Sequence, residues 1–395
     1  MKILFITTRI PLPSSKGDQL VTYNRLRTLS KYHEITLFSF YGNVTERENL
    51  ELIKSYCSSI HLVKLPKWMS YVNVAAKGLI NNSPLQVLYY RSNKFKKALN
   101  DLIKTNQFDV IHVCLLRLAP YLKDITTPKV LELIDSMQLN LSRKLEIETF
   151  PMTLLYREEL RRIKRMEEQL GNSFDQLIVV AEADRKLIPS DNVSVIPNGV
   201  DTTHFHPTGR VAGTTKVIFT GNMDYAPNIH AVMWFVNNCY EGILEQIPNM
   251  KLIIAGGNPP QKLKNISKQF PGTVVTGFVE SIAQYLNNSS LSIAPMQSGS
   301  GMQNKILEAM ACGLPVVSTS LGLGSIGATP GKEIIIANTP DAFIKAVVLL
   351  LQDDKHAQDI GLNAREYVVN NHSWEHSALE VNGIYRRISR KDTAS

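Results

Sequence analysis

Residues 297–319 read QSGSGMQNKILEAMACGLPVVST and contain three successive structural signals. Four small residues at 298–301 predict a flexible loop. The next segment, Met302–Cys312, predicts a helix that Gly313 caps at its C-terminus. Residues 316–319 read VVST, three of them β-branched, and they predict a buried strand. A small-residue loop between a strand and a helix leaves backbone N–H groups open, and the helix N-terminus adds partial positive charge.

The predicted helix divides into a polar and an apolar face. The polar face has the spacing i, i+3, i+4 and i+7 and holds Gly301, Asn304, Lys305 and Glu308. The opposite face holds Met302, Ile306, Ala309 and Met310. We expect Lys305 to neutralise a diphosphate and Glu308 to accept both hydroxyls of a ribose. An ordinary capped helix with a Lys–Glu pair explains the loop alone, but explains the whole constellation less well.

This segment resembles the donor-binding segment of family-4 glycosyltransferases, which are retaining enzymes of the GT-B fold. That family carries a Glu, seven residues and a second Glu in an LEAMA-G-PVV context, and residues 307–317 match the second half. The first Glu would fall at Ser300, so sugar contact would come from Ser300 or from backbone N–H groups. The form GxxNKxLEAMA resembles a bacterial subgroup associated with exopolysaccharide and capsule assembly. The resemblance extends, more weakly, along nearly the whole chain.

Length and composition bound the class of protein. A chain of 395 residues predicts two domains, and 44% hydrophobic with 20% charged residues describes a soluble globular protein. No apolar run reaches a membrane-spanning length. The four cysteines have no metal-binding spacing and suggest reduced thiols in a cytoplasm.

Strands alternate with helices along the whole chain, which predicts an α/β architecture of two doubly wound, Rossmann-like domains. We place the first domain at 1–200, on the acceptor side, and the second at 201–373, where the nucleotide sugar binds. The resemblance implies the GT-B arrangement with a cleft between the domains and a final helix, 374–391, packed back on the first. A long charged helix is predicted from about Leu139 to Leu170.

Two candidate sites lie in the first domain. Gly17 and Asp18 follow the first strand and open a helix, where the resemblance implies a loop that faces the acceptor and the sugar. Asp135 follows another strand, and its carboxylate could orient the acceptor hydroxyl or take its proton. We predict catalytic roles for Asp18, Asp135 and Lys305. Helix capping explains Asp18 and Asp135 about equally well.

Further donor-binding residues are predicted at strand ends of the second domain. Gly221 and Asn222 would meet the diphosphate, and the resemblance implies that Phe278 and Val279 hold the base. The rest of the predicted donor set lies in the opening segment: Gly299, Ser300, Gly301, Met302, Gln303, Asn304, Lys305 and Glu308. No Asp-x-Asp motif and no sequence cluster of His, Cys or carboxylates is present. We therefore expect no metal and no cofactor, with a nucleotide sugar as co-substrate.

A basic window accounts for most of the net charge of +8. Residues 61–104 hold eight Lys or Arg and one Asp, together with Trp68, Tyr71, Tyr89, Tyr90 and Phe95. Mixed basic and aromatic residues suit an anionic membrane surface. A solvated basic face with its aromatics in the core is the alternative. Nucleic acid is not expected, because no nucleic-acid-binding fold accompanies the window.

These features predict a metal-independent, retaining glycosyltransferase that moves a sugar from a nucleotide sugar to a glycan or lipid-linked acceptor. Its location would be cytoplasmic, peripheral on the inner face of the cell membrane. A nucleotide-sugar epimerase or hydrolase on the same fold is one alternative. A non-catalytic partner that binds a nucleotide sugar is another, which the missing first Glu permits.

Overall fold

A computed structural model of the protein describes residues 1–12, 17–42, 50–78, 80–134, 136–147, 150–209, 213–299 and 302–391. The chain divides into two compact units. The N-terminal unit comprises Met1–Pro197 and Ser377–Ser395, and the C-terminal unit comprises Asn198–His376. Each unit is built around one sheet whose described strands all pair in parallel.

The sheet of the N-terminal unit has seven described strands in the order β3-β2-β1-β4-β5-β6-β7. They are β1 (Lys2–Thr7), β2 (Glu34–Tyr41), β3 (Ser59–Lys64), β4 (Val110–Cys114), β5 (Lys129–Leu133), β6 (Gln176–Val179) and β7 (Val193–Val195). The first three strands extend the sheet in one direction, and β4 then pairs on the opposite side of β1. The strand order therefore reverses between β1 and β4, which makes this the switch point of the sheet.

The central strands of this sheet are buried, as expected for a parallel sheet that is covered on both faces. All five residues of β4 are buried, as are the last five of β1. The described helices are Gly17–Leu29, Glu51–Lys54, Lys67–Lys77, Leu85–Tyr89, Asn93–Thr105, Met137–Ile147, Met152–Glu167, Leu170–Ser173, Glu182–Arg185 and Trp374–Lys391, with a 3₁₀ helix at Leu116–Leu122. No helix among the described residues is long and apolar enough to span a membrane.

The long helix predicted from Leu139 to Leu170 is wrong. The structure has two main helices there, Met137–Ile147 and Met152–Glu167, and a short third one after them. Pro151 lies at the N-cap of the second helix. Proline has no N–H to donate and restricts the residue before it, so a single helix could not pass through this position.

A buried polar network ties the last helix to the sheet of the N-terminal unit. The guanidinium of Arg25 binds the carboxylate of Glu132 at 2.6 Å, and both side chains are fully buried. Nε2 of His112 lies 2.9 Å from Glu132, and Nδ1 lies 2.6 Å from the hydroxyl of Tyr385 on the last helix. Burial lowers the pKa of His112, so we assign a neutral ring that donates from Nε2 and accepts at Nδ1.

The sheet of the C-terminal unit has six described strands in the order β10-β9-β8-β11-β12-β13. They are β8 (Lys216–Thr220), β9 (Lys251–Ala255), β10 (Thr273–Gly277), β11 (Leu291–Ala294), β12 (Val316–Ser318) and β13 (Ile335–Ile336). Its described helices are Ala226–Asn238, Tyr240–Leu244, Gln261–Lys264, Ile266–Gln269, Ile282–Asn287, Asn304–Ala311, Ser320–Leu323, Pro340–Gln352 and Asp354–Asn371. The strand order reverses between β8 and β11, so the switch point of this sheet lies there.

The helix within residues 297–319 runs from Asn304 to Ala311, so it begins two residues later than the sequence predicts. Gly313 has φ +69°, and the N–H of Leu314 donates to the carbonyl of Ala309 at 3.0 Å. This is the glycine C-cap predicted from sequence, in which a left-handed residue satisfies the last carbonyls. Residues 316–318 then form β12, and all three are buried.

The two ends of the C-terminal unit lie side by side. Val200 forms a bridge with Ser373, and its N–H donates to the carbonyl of His372 at 2.7 Å. A Cβ atom on Gly199 would lie 2.5 Å from the backbone nitrogen of Trp374, so this close approach requires glycine.

Candidate functional site

Glycines stand at the carboxyl ends of three neighbouring strands in the C-terminal unit. Gly221 follows β8, Gly256 follows β9, and Gly277 ends β10. A Cβ atom on Gly256 would lie 1.7 Å from the carbonyl oxygen of Gly221, so a larger residue would force the strand ends apart. The N–H of Gly256 donates to the carbonyl of Gly277 at 3.1 Å. The backbone is thus closely spaced at this edge and has no side chains to keep a ligand away.

Lys305 lies beside these turns, at the switch point between β8 and β11. Its Nζ atom lies 2.5 Å from Oδ1 of Asn228 and 3.2 Å from Oε1 of Gln303. The ammonium also lies 5.0 Å from the ring centroid of Phe219, the fourth residue of β8. We predicted Lys305 on a polar helix face together with Asn304. The structure instead buries Lys305 and exposes Asn304, because Lys305 points toward β8.

The charge of Lys305 has no close anionic counterpart. Among the described residues no carboxylate forms an ion pair with it, and its three hydrogen-bond partners are neutral: two amide oxygens and the thioether sulfur of Met296 at 3.6 Å. Burial lowers the pKa of Lys305 to about 8, against a smaller opposing effect of Glu308. The side chain is therefore mostly protonated at pH 7. A buried ammonium without a counter-ion is costly, so an anionic ligand at this position gains the full benefit of its charge.

Glu308 lies one helical turn beyond Lys305 and is half-buried. Burial raises its pKa to about 7, and the positive charge of Lys305 counteracts part of that rise. Its carboxylate makes no side-chain hydrogen bond with the described residues. An acceptor with both oxygens open at this depth suits a ligand with two neighbouring hydroxyls.

The loop before the helix runs close to the start of helix Ala226–Asn238. Gly299 has φ +114°, and a Cβ atom there would lie 3.3 Å from the side chain of Pro227. Met302 is half-buried and Gln303 is buried. The predicted positions Ser300 and Gly301 lie outside the described residues.

The remaining predicted donor residues occupy the outer part of the same edge. Asn222 is exposed, and its backbone carbonyl accepts from Nδ2 of Asn228 at 2.8 Å. Phe278 follows β10 with 82% of its side chain exposed, and Val279 next to it is half-buried. An aromatic ring this exposed has no packing role in the unit and is open to a flat ligand.

In the N-terminal unit the described candidate residues are Gly17 and Asp18, which open the first helix after β1. Gly17 is the first residue of helix Gly17–Leu29, so Asp18 lies inside its first turn. Oδ2 of Asp18 lies 2.9 Å from Nη2 of Arg9. Asp18 and Arg9 both line a cavity of about 430 Å³. Asp135 lies outside the described residues.

A buried set of potential metal ligands appears in the N-terminal unit, although no cluster is visible in the sequence. One ligand atom each from His112, Cys114 and Glu132 falls within 4.8 Å of the others. Arg25 already occupies the carboxylate of Glu132, and both ring nitrogens of His112 are engaged. The guanidinium stands where a cation would have to bind, so this set functions as the polar network of the fold.

Two residues that shape this edge of the C-terminal sheet were not predicted from the sequence, Asn228 and Gly256. Asn228 holds Lys305 in place, and its only sequence signal is an amide in an otherwise apolar helix start, APNIHAV. Gly256 ends a strand, as expected, but the contact that makes it indispensable is with Gly221, 35 positions earlier.

Residues 214–353, which lie in the C-terminal unit, match the family model described as Glycosyl transferases group 1. A Klebsiella pneumoniae relative, described as an uncharacterized 44.6 kDa protein in the cps region, is 22% identical over 389 residues. That match covers 94% of this chain and 96% of the relative.

Solved structures share the whole architecture. Anabaena Alr3699/HepE in complex with UDP matches with a TM-score of 0.68 at 14% identity, over 98% of this chain and 100% of that one. Sucrose-phosphate synthase from Thermosynechococcus elongatus matches with a TM-score of 0.68 at 17% identity, over 100% of both chains. The fold is that of the GT-B glycosyltransferases.

Proposed function

We propose that this protein is a retaining glycosyltransferase of the family-4 type that acts in the synthesis of a cell-surface polysaccharide. It transfers a sugar from a nucleotide sugar to a glycan or lipid-linked acceptor. The observation that carries the proposal is Lys305, a buried ammonium with neutral partners at the switch point of the sheet. The group 1 match over residues 214–353 and the relative from a cps region support it.

The diphosphate of the donor is assigned to the space between Lys305 and the glycine turns. Lys305 supplies the positive charge, and the backbone of Gly221 and Gly299 permits close approach. The first turn of helix Asn304–Ala311 adds open N–H groups and the positive end of its dipole. As the bond to the sugar breaks, charge accumulates on the leaving diphosphate. A pre-positioned cation then stabilises the transition state more than the ground state.

Glu308 is assigned to the ribose and Phe278 with Val279 to the base. A carboxylate accepts from two neighbouring hydroxyls with its two oxygens, and an exposed ring covers a flat base. HepE has been solved with UDP and with UDP-glucose, which supports a nucleotide sugar of this kind as the donor.

The acceptor is assigned to the N-terminal unit near Gly17 and Asp18, with Asp135 as a further candidate. TarM, which has the same fold, has been solved with alpha-GlcNAc-glycerol and UDP, which supports a glycan acceptor. Retention rests on the resemblance of the Glu308 segment to family 4. Ser300 stands where that family has its first Glu, so backbone N–H groups would contact the transferred sugar.

The decisive experiment is a donor screen on the full chain, followed by a product analysis. Thermal shift with a panel of nucleotide sugars finds the donor, since a ligand at a hundredfold its Kd adds about 2.7 kcal/mol to stability. Release of nucleoside diphosphate is then measured with and without a lipid-linked acceptor, and NMR reads the configuration of the new anomeric centre. Acceptor-dependent release with a retained anomer is the expected result.

The same experiment separates the alternatives. A hydrolase releases diphosphate equally well without acceptor, and an epimerase changes the sugar while it stays attached to the nucleotide. A non-catalytic partner binds the nucleotide sugar and releases nothing. An inverted anomeric product would overturn retention while leaving the glycosyltransferase assignment in place.

Exposed apolar residues support a membrane-facing role for the N-terminal unit. On helix Lys67–Lys77, Trp68 and Tyr71 are 66% and 65% exposed, and Val72 joins them on one face at the i, i+3, i+4 spacing. Ile80 after the helix is 88% exposed. Residues 52–100 contain no Asp or Glu at all. An apolar helix face within a purely basic segment complements an anionic lipid surface, where rings settle at headgroup level.

A second exposed apolar segment adjoins the first. Phe150 and Leu154 are exposed at the start of helix Met152–Glu167. A hydrogen bond holds that helix next to the segment that follows Ile80: the carboxylate of Glu159 accepts from the N–H of Leu85 at 2.8 Å. The prediction that all five aromatic residues of the basic window face a membrane is wrong for three of them. The ring of Phe95 is fully buried, and Tyr89 and Tyr90 pack against the core.

We therefore assign peripheral binding to an anionic membrane surface, on its cytoplasmic face, through Trp68, Tyr71 and the exposed lysines of helix Asn93–Thr105. Lys94, Lys96 and Lys97 are exposed on that helix. Each cation near an anionic surface adds about 1 kcal/mol of attraction. A lipid-linked acceptor would be met at that surface.

A further inference from the structure

The cavity of about 430 Å³ in the N-terminal unit lies where a parallel sheet places its ligands. Arg9 follows β1, Arg117 follows β4, and Leu133 ends β5, and all three line the cavity. The cavity therefore opens at the carboxyl ends of the strands on both sides of the switch point between β1 and β4. That is the general position of ligand sites in doubly wound sheets, and the volume is that of a small-molecule site.

The two arginines of this cavity have more donors than the protein uses. Nη2 of Arg9 forms an ion pair with Asp18, while the buried Nε of Arg9 has no partner among the described residues. Arg117 donates from Nε to Oε1 of Gln86 at 2.9 Å and lies 5.6 Å from the ring centroid of Tyr90. Within the described part of the chain, no residue accepts from the two terminal nitrogens of Arg117. A guanidinium has five donors in a fixed fork, so unused donors are available to a ligand.

The positions of these donors are set before any ligand arrives. Gln86 and the face of Tyr90 hold Arg117 from two sides, which reduces the conformational freedom lost on binding. The charge of Arg9 is already balanced by Asp18. Arg117 is the lining cation that forms no ion pair with any described carboxylate. A planar fork of this kind matches the two oxygens of a carboxylate or phosphate.

The other lining residues make the cavity amphipathic. Leucine and methionine side chains line it from β5, the 3₁₀ helix and helix Met137–Ile147: Leu115, Leu116, Leu133, Met137 and Leu141. Leu115 has φ +78°, a conformation that strains a leucine and is typically retained where a ligand or a turn demands it. Glu167 adds a buried carboxyl whose pKa is raised to about 7 by burial; Oε2 already accepts from Nε2 of Gln138, which leaves Oε1 for a ligand. Apolar walls suit the C–H face of a sugar ring, and the carboxyl suits a hydroxyl.

We propose that this cavity selects acceptors that carry an anionic group, a carboxylate or a phosphate, next to a sugar ring, with Arg117 as the principal contact and Arg9 as the second. This inference rests on the proposed function and narrows its acceptor class. The shared chemistry has three sources: an acidic sugar, a sugar phosphate, and the diphosphate of a lipid-linked glycan. A neutral glycan leaves the fork of Arg117 without a partner in a partly buried site, so it binds less tightly.

The test measures binding of four probes to the full chain by NMR saturation transfer and calorimetry. The probes are glucuronic acid, glucose 1-phosphate, geranyl diphosphate and, as the neutral match, methyl glucoside. Saturating UDP is present, so that anions are kept away from Lys305. We expect at least one anionic probe to bind tenfold or more tightly than methyl glucoside, and the probe that binds best identifies the source. Equal binding of all four overturns the inference.

Variants tie the binding to this cavity. Arg117→Gln should weaken the best anionic probe at least tenfold, and Arg117→Lys, which keeps the charge but loses the fork, should weaken it less. Arg91→Gln, at an exposed arginine of the same unit, is the matched control and should change nothing. Equal affinity in Arg117→Gln, Arg117→Lys and the parent overturns the inference. Failure of the parent to bind any nucleoside diphosphate overturns the proposed function instead, whereas the inference fails when the affinity for the anionic probes does not depend on Arg117.

Discussion

The side-chain oxygen of Asn228 lies 2.5 Å from the ammonium of Lys305 across the switch point of the C-terminal sheet. Asn228 belongs to the first helix after β8, and Lys305 belongs to the helix after β11. The amide fixes the position of the ammonium without cancelling its charge. A carboxylate at position 228 would bind the lysine more strongly, but would repel the diphosphate that we assign there.

Replacing Lys305 tests the assignment of the diphosphate. Lys305→Ala should weaken UDP by about 1.5–3 kcal/mol, the range for hydrogen bonds to charged groups, and should leave uridine almost unchanged. Calorimetry with both ligands makes the comparison. The matched control is Lys251→Ala, which removes an exposed lysine of the same sheet. Equal losses for uridine and UDP, or equal UDP affinity in the two variants, would contradict the assignment.

Donor affinity should depend on pH through Glu308 and Lys305. Burial raises the pKa of Glu308 to about 7 and lowers the pKa of Lys305 to about 8. The proposed contacts need the carboxylate ionised and the amine protonated, so affinity should be highest between these two values. Binding should release a proton near the acid limit, as Glu308 ionises, and take one up near the alkaline limit, as Lys305 protonates.

Calorimetry with a nucleotide sugar in buffers of different ionisation heat measures both proton transfers. The diphosphate of a nucleotide sugar is a diester and does not itself titrate in this range. Glu308→Gln should remove the acid limb and cost about 1.5–3 kcal/mol of donor affinity above pH 7. No net proton exchange on either side of neutrality would exclude the two groups from the site.

Removal of metals tests the expectation that none is needed. Activity of the enzyme with its identified donor should survive excess EDTA, because Lys305 and the helix N-terminus supply the charge that stabilises the leaving diphosphate. The control adds magnesium or manganese back after chelation and should give no gain. Complete loss on chelation, restored by either cation, would make the mechanism metal-dependent.

Membrane docking should be lost through either of two independent sets of substitutions. Trp68→Ala with Tyr71→Ala removes the exposed rings, and reversal of Lys94, Lys96 and Lys97 to Glu removes the attraction. Cosedimentation with anionic and neutral vesicles measures the loss, which we expect to exceed tenfold for the charge reversal. Reversal of the exposed Lys262, Lys264 and Lys268 in the C-terminal unit is the matched control. Equal binding to both vesicle types, or self-association in place of binding, would count against the proposal.

The buried network of the N-terminal unit should dominate its acid sensitivity. Glu132→Gln leaves the guanidinium of Arg25 buried without a counter-ion and should cost about 3–5 kcal/mol of unfolding free energy. Tyr385→Phe removes one hydrogen bond and should cost about 1 kcal/mol. Denaturant titrations compare the two variants. A smaller effect for Glu132→Gln than for Tyr385→Phe would mean that the ion pair is not what holds the network.

The pH dependence of stability follows from the same groups. Burial lowers the pKa of His112, so its contribution is present above the unfolded value of about 6.5 and declines as pH falls below it. Burial alone would raise the pKa of Glu132, but Arg25 and His112 bring it down to about 2. Stability from Glu132 is therefore full above about 4.5 and is lost as pH falls toward 2.

Much of the fold was predictable because its signals are local. Strands such as β1 and β9 are short apolar runs between turn residues, and such runs can be recognised from the sequence alone. The helix after β11 and its Gly313 cap were also predicted, since a glycine after an apolar helix has few other roles. The break at Pro151 was visible in the sequence, but the interleaved charges around it favoured one continuous helix.

The site was less predictable because it depends on distant contacts. Helical spacing placed Lys305 on a polar face, but only the position of Asn228 in the fold decides that it is buried and anchored. The cavity of the N-terminal unit collects Arg9, Arg117 and Glu167 from elements up to 158 positions apart. No local pattern marks these residues as neighbours, so Asp18 is the one lining residue that the sequence analysis had singled out.

The bridge between Val200 and Ser373 brings the two ends of the C-terminal unit together, and that unit is an insertion in the chain of the N-terminal unit. The chain leaves the N-terminal unit after Pro197 and returns to it at Ser377, and the intervening residues begin and end side by side. Such a segment can be exchanged as a cassette, because the strands of the other sheet and Tyr385, which anchors the last helix to it, all lie outside the segment. Under the roles proposed above, a graft that replaces this segment with the corresponding segment of a similar protein is expected to change the donor while keeping the acceptor.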